Sequence, residues 1–423
     1  MNTKQLLMAW LLLYAVTLTA QDTRGRGQYA RGTIKSGTVQ PGAENLQQYL
    51  PLLKGKGVAV FANHTSLVGK THLVDTLLKL GVQIKVIFGP EHGFRGTADA
   101  GEKVGNYTDP QTGIQVISLY GSKRKPSAED LAGVDVMLFD IQDVGARFYT
   151  YISSLEYYLE AAIENGKHLI VLDRPNPNGH YVDGPVLEPA FKSFVGMQPI
   201  PVVYGMTIGE YTQMIYGEGW FDKSVYKWSK SAGDFELTII PCNNYNHLTL
   251  YELPVKPSPN LPNMQSIYLY PSTCFFEGTV LSEGRGTPTP FQVFGHPSLP
   301  KHLYSFTPRS SEGAKNPKLQ DQLCYGWNLG GTVQEVLQRV DKKVQIQWLL
   351  EAYRLFPDKA NFFIKPKSGK PEDYFFNKLA GNSTLMQQIM AGKSEAEIRK
   401  SWEPALEQFK AIRKKYLLYK DFE

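Results

Sequence analysis

Val86-Ile87-Phe88-Gly89-Pro90-Glu91-His92-Gly93-Phe94-Arg95-Gly96 decides how this chain reads. An apolar run of strand length stops at Gly-Pro. An acid, an imidazole and a guanidinium then follow between glycines. In an open parallel sheet, ligands bind in the crevice past the carboxyl ends of the strands. A carboxyl group delivered there is placed for proton transfer or nucleophilic attack. Phe88 and Phe94 flank Glu91, and a poorly solvated pocket favours the protonated form that a general acid needs. His92 is a candidate to orient Glu91, to bind substrate or to act directly.

The same pattern recurs along the N-terminal half. Gly57–Ala62, Ile84–Phe88, Gln115–Leu119, Val134–Phe139, Leu169–Leu172 and Leu237–Ile240 read as strands. Leu73–Leu80, Tyr151–Glu164 and Met206–Tyr216 read as helices between them. This alternation predicts an α/β fold around a Rossmann-like parallel sheet. Polar groups follow each of the first five strands: Asn63 and His64; Glu91, His92 and Arg95; Tyr120; Asp140, Gln142 and Asp143 with Arg147 and Tyr149; then Asp173, Arg174 and Asn176. Five such strand ends in succession predict a site at that edge.

Cofactor signatures are missing. Phe61-Ala62-Asn63-His64-Thr65 has no glycine where a dinucleotide loop needs one, and no GxxxxGK[ST] occurs. The expectation is side-chain chemistry with no cofactor. A metal site assembled from His64, His92, Asp140 and Asp143 is the rival, without HExxH or HxH spacing to support it.

Pro254–Pro262 is turn-rich and marks a boundary, giving a catalytic domain over 41–262 and a smaller mixed α+β auxiliary domain over 263–423. Strand-like Ser266–Leu269 and Phe291–Phe294 begin the second domain; helices at Thr332–Val340, Ile346–Leu355 and Ser394–Leu418 follow. In the second domain, Phe275–Thr287 carries Glu277, Glu283 and Arg285 among glycines that permit close backbone approach. Arg285 offers a planar fork suited to a carboxylate.

Composition sets outer bounds. The chain has 423 residues and a formal charge of +5, too mild to argue for nucleic acid. Three widely spaced cysteines form no CxxC or zinc pattern, which predicts core packing or at most one disulfide. Lys4 followed by apolar Leu6–Leu18 and Leu18-Thr19-Ala20 reads as a secretory signal over 1–20, then a disordered lead-in over 21–40. That predicts export to the periplasm or beyond, with no membrane insertion after cleavage. Oligomeric state stays open.

Four motifs together are recognisable: Gly89–Gly96, Asp140–Tyr151, Asp173–Pro177 and Glu283–Thr287. In that order they resemble the NamZ-type exo-β-N-acetylmuramidases, a family long filed as a domain of unknown function. The resemblance runs from about Pro41 to the Tyr416–Tyr419 ending. It implies a secreted glycoside hydrolase that removes β-1,4-linked N-acetylmuramic acid from the non-reducing ends of peptidoglycan fragments. It also implies a cleft between a Rossmann-like domain and an auxiliary domain, with the key acid at Glu91. Glycosidases ordinarily use two carboxyls roughly 5 to 9.5 Å apart. Asp140, Asp143, Glu277 and Glu283 are candidates for the second, although an acetamido sugar can supply its own nucleophile. Arg285, with Arg95 or Arg147, is the expected partner of the lactyl carboxylate of muramic acid. A secreted sugar-binding protein without catalysis, or a metal-dependent hydrolase, are the alternatives.

Overall fold

The computed structural model describes residues 38–91, 93–95, 105–222, 224–225 and 235–423. The expected signal and nearly all of the lead-in lie outside them, as does His92. Val39–Glu423 forms one compact unit.

A seven-stranded sheet carries the N-terminal half. Its strands are β1 (Gly57–Ala62), β2 (Gln83–Gly89), β3 (Tyr107–Thr108), β4 (Gln115–Ser118), β5 (Val136–Asp140), β6 (His168–Leu172) and β7 (Leu237–Ile240). They lie in the order β3-β4-β2-β1-β5-β6-β7. All neighbours are parallel except the short edge pair β3–β4. The chain steps outward from β1 to β2 and β4, then returns to the other side of β1 with β5. That reversal puts the ends of β1, β2 and β5 side by side, with Phe61 level with both Phe88 and Phe139.

Alternation within each strand splits the core into two layers. Val58, Val60, Ile87, Leu138 and Ile170 pack towards α1 (Leu46–Leu53) and α2 (Leu73–Lys79). Ala59, Phe61, Phe88, Phe139 and Val171 pack towards α3 (Tyr151–Glu164) and α4 (Ile208–Gly217). The second layer continues without a break into the C-terminal residues, so one apolar cluster joins the two halves.

The C-terminal half has its own antiparallel sheet, β8 (Val293–His296), β9 (Tyr304–Phe306) and β10 (Cys324–Asn328), in the order β8-β10-β9. Phe294 stacks between Phe276 and Trp327, with centroids 4.1 and 4.9 Å away. The same half holds helices α5 (Met264–Thr273), α6 (Val333–Val340), α7 (Gln347–Leu355), α8 (Phe375–Ala380), α9 (Thr384–Met390) and α10 (Glu395–Arg413).

One element differs from expectation. Ser266–Leu269 is part of helix α5, not a strand. Asn263 caps that helix by accepting from the Ser266 amide at 3.0 Å. The segment is buried nearly all round, so helical periodicity is invisible in its sequence. The three cysteines are free and buried. Among the described residues no helix is long and apolar enough to cross a membrane.

Candidate active site

The turn Gly89-Pro90 ends β2 and swings Glu91 into a cavity of about 860 Å³. Thr150, at the N-terminus of α3, donates to Glu91 Oε2 at 3.0 Å. The Tyr120 hydroxyl, beyond β4, also bonds Glu91; burial and then that carboxylate raise its pKa. Burial followed by Glu91 likewise raises Tyr151. The apolar walls are Phe148, Phe194, Val195 and Tyr270. Phe88 and Phe94, the expected pocket wall, are wholly buried elsewhere, Phe94 edge-on to His72. A smaller recess of about 60 Å³ opens beside Glu91, bounded by Tyr149, Tyr151, Ser258, Asn260 and Phe291. Tyr149 anchors it by donating to the Pro257 carbonyl at 2.8 Å.

The C-terminal half supplies a charged wall. Arg285 Nη2 meets Glu277 Oε1 at 2.7 Å and its Nε lies 3.4 Å from Glu283 Oε1. Lys318 Nζ lies 2.8 Å from Glu283 Oε2 and also donates to the carbonyls of Phe276, Thr279 and Leu281. Glu277, Glu283, Arg285 and Lys318 all line the cavity. Burial alone would raise the Glu283 carboxyl, but Lys318 and Arg285 outweigh it and hold it below the ordinary carboxylate range. Glu283 is therefore a fixed anion and an unsuitable proton donor at neutral pH. Glu277, 19 % exposed, is the more accessible carboxylate on this wall.

Several expected site residues are placed elsewhere, and each has a physical reason. Asp140 and Arg174 form a buried bidentate pair at 2.5 and 2.8 Å. Asp143 accepts from Tyr204 at 2.5 Å and from the Gly145 amide at 2.6 Å. Gln142 donates to the carbonyls of Asp143 and Pro175. Asn63 accepts from the Thr65 hydroxyl, which in turn accepts from the Gln142 amide. Asp173 accepts from Thr207, the Gly209 amide and Tyr419 at the start of α4. Asn176 donates to the Met206 carbonyl. These strand ends bond one another instead of a ligand.

Arg147 is fully buried and donates to the carbonyls of Pro185, Ile200 and Leu379 at 2.6 to 2.8 Å, so it cannot reach a substrate carboxylate. Arg95 turns to Asp109 at 2.8 Å, with Asp75 at 3.9 Å. His64 bonds the Lys256 carbonyl. Neither lines the cavity. Among the described residues no cluster of three or more His, Cys, Asp or Glu is arranged to hold a metal.

Sequence reading passed over Thr150, Phe194, Val195 and Lys318. Thr150 lies inside a quoted motif, next to the predicted start of a helix. Lys318 sits in an ordinary polar loop and carries no local signal.

Residues 58–265 match the description "Exo-beta-N-acetylmuramidase NamZ, N-terminal", and residues 268–419 match its C-terminal counterpart. The peptidoglycan beta-N-acetylmuramidase NamZ of Bacillus subtilis (strain 168) is 39 % identical over 409 residues, covering 92 % of this chain and 93 % of that one. A crystal structure of a DUF1343 family protein from Bacteroides fragilis NCTC 9343 superposes with a TM-score of 0.79 at 44 % identity. It covers 91 % of this chain and 100 % of its own. A second DUF1343 family protein from that organism gives 0.73 at 27 % identity, with 90 % and 99 % covered.

Proposed function

The chain belongs to the NamZ family of exo-β-N-acetylmuramidases, and we propose that it hydrolyses the β-1,4 bond of terminal N-acetylmuramic acid at the non-reducing ends of peptidoglycan fragments, with Glu91 as general acid. The observation that carries this reading is the Glu91 carboxyl, set in the cavity wall by Thr150 and faced by the Glu277–Arg285 pair. Protonated Glu91 donates to the glycosidic oxygen as the bond to the anomeric carbon breaks. Water completes the exchange, and the ionised acid recovers a proton. Glu277 is the carboxylate we assign to the far side of the bond. Positive charge that develops at the anomeric carbon favours an anion there.

Of the three arginines considered for the lactyl carboxylate, Arg285 alone lines the cavity. Two carboxylates already hold its fork, so a substrate carboxylate joins an existing network. We place the protein outside the cytoplasm, on the strength of Lys4 and the apolar Leu6–Leu18 run. Recovery of a mature protein beginning near Gln21 from the periplasm or the medium supports export; an intact N-terminus on cytoplasmic protein overturns it.

The direct test uses N-acetylmuramyl-β-1,4-N-acetylglucosamine. Release of both free sugars supports hydrolysis. Saturable binding with the disaccharide intact makes the protein a binder instead. Activity abolished by chelation and restored by zinc transfers the chemistry to a metal.

A further inference from the structure

Phe194, an aromatic side chain at the cavity, is held out from the core, and the reaction as written leaves it without a task. Phe194 lies at the tip of a tight turn, closed by reciprocal backbone hydrogen bonds between Ser193 and Gly196 at 2.8 and 3.0 Å. Its ring is only half-buried and lines the cavity. Three neighbours brace it. It stacks on Tyr157 of α3 at 18°, with centroids 6.3 Å apart. The Arg124 guanidinium lies 4.3 Å from its centroid. Tyr120, which bonds Glu91, approaches it at 6.3 Å. The turn is itself anchored: a Cβ on Gly196 would meet Leu187 at 2.6 Å and the buried Arg147 at 3.4 Å.

A half-exposed ring fixed on three sides loses little freedom when a ligand covers it, which is the condition for a preorganised contact. Its position limits the ligand. A general acid stands beside the glycosidic oxygen, so groups one side chain away flank one of the two sugars joined there. Glu91 borders both the small recess of about 60 Å³ and the large cavity of about 860 Å³, whereas Phe194 borders only the large one. In an exo-acting enzyme the terminal sugar ends against a wall, here the recess side of Glu91, and the remainder of the fragment runs out along the large cavity.

We propose that Phe194 is the platform for the leaving-group sugar, the N-acetylglucosamine unit whose oxygen Glu91 protonates. The contact is apolar, between the exposed part of the ring and the C–H face of the sugar. It rests on the hydrolase reading above. Phe194 is thus a specificity-determining residue: it distinguishes a sugar aglycone from none.

The experiment compares wild type, Phe194→Ala and Phe194→Trp on two substrates, the N-acetylmuramyl-β-1,4-N-acetylglucosamine disaccharide and N-acetylmuramyl β-fluoride, which has no aglycone. For Phe194→Ala the expected result is a loss of about tenfold in kcat/KM on the disaccharide and a change within about twofold on the fluoride. Phe194→Trp restores the disaccharide rate. An equal loss on both substrates shows that the ring only supports the fold and overturns the platform. So does an unchanged rate on the disaccharide, in a wild type that cleaves it. A wild type inert towards both substrates overturns the hydrolase reading, and the platform falls with it.

Discussion

Past the end of β2, Glu91 is half-buried at the wall of a cavity, held by Thr150 and Tyr120. Past the end of β6, Asp173 has no exposed surface and accepts from Thr207, Gly209, Tyr419 and its own neighbour's amide. Both acids follow an apolar strand in the same sheet. Their sequence contexts look equally suited to chemistry. The difference lies in what arrives from far along the chain. Glu91 meets a wall built by residues 270–318, which leaves open space between them. Asp173 meets the C-terminal segment, whose Tyr419 hydroxyl closes over it while the amides of Leu418 and Tyr419 bond Glu210. The same device, an acid past a strand end, thus makes a reactive edge in one place and a fastening in another. Burial pushes Asp143, Glu156 and Asp173 each up to about 7, with a tyrosine hydroxyl donating to each.

On the scale of stability, the largest effect expected from breaking this contrast is at the Asp140–Arg174 pair. Arg174→Leu leaves a fully buried carboxylate without its partner, at a cost of about 3–5 kcal/mol. Thermal or urea unfolding measures it. A loss below about 1 kcal/mol returns Asp140 to the list of candidate site acids.

Arg147→Met comes next. Three buried carbonyls lose a charged donor, and a stability loss of about 2–3 kcal/mol follows. An unchanged Tm with a raised KM is the pattern a substrate ligand gives, and it would contradict the placement described here.

Lys318→Met sharpens the other side of the comparison. Glu283 has a depressed folded pKa, so its contribution is present above its unfolded value, about 4.3, and is lost as pH falls through the folded one. Removing Lys318 costs about 1–2 kcal/mol at neutral pH, and the gap between variant and wild type narrows below about pH 4. A gap that stays constant from pH 7 to pH 3 denies the pairing.

The effect with the clearest pH signature among the buried groups belongs to Asp143→Asn. Asp143 has a raised folded pKa, so its contribution is complete below the unfolded value of about 3.9 and disappears as pH rises to about 7. Relative to wild type, the variant should gain up to about 4 kcal/mol between pH 4 and pH 8, about 1.4 kcal/mol for each pH unit between about 3.9 and about 7. A Tm difference independent of pH removes Asp143 as a titrating group.

Much of this architecture is readable from the chain. The unbroken apolar runs of β1, β5 and β6 announce a sheet covered on both faces, and Gly89-Pro90 announces the exit that delivers Glu91. What stays hidden is which strand-end polar groups remain wet. That choice depends on contacts such as Tyr419 with Asp173, 246 positions apart, or Arg147 with the Leu379 carbonyl, 232 apart. Arg147 and Arg285 illustrate the point. Both are arginines in glycine-containing motifs, yet only Arg285 has a cavity in front of it. Helix α5 escaped notice for a related reason: a helix buried on nearly every side has no polar stripe to betray its period.

The contrast between Glu91 and the buried acids is tested most directly by measuring turnover and Tm on one preparation of Glu91→Gln. The amide keeps the shape and can still accept from Thr150, but it cannot protonate a leaving oxygen. Release of N-acetylmuramic acid from the disaccharide should fall about 100- to 10,000-fold, with the Tm within about 2 °C of wild type. Near-normal turnover would contradict the account, and so would a Tm that falls as far as that of Arg174→Leu.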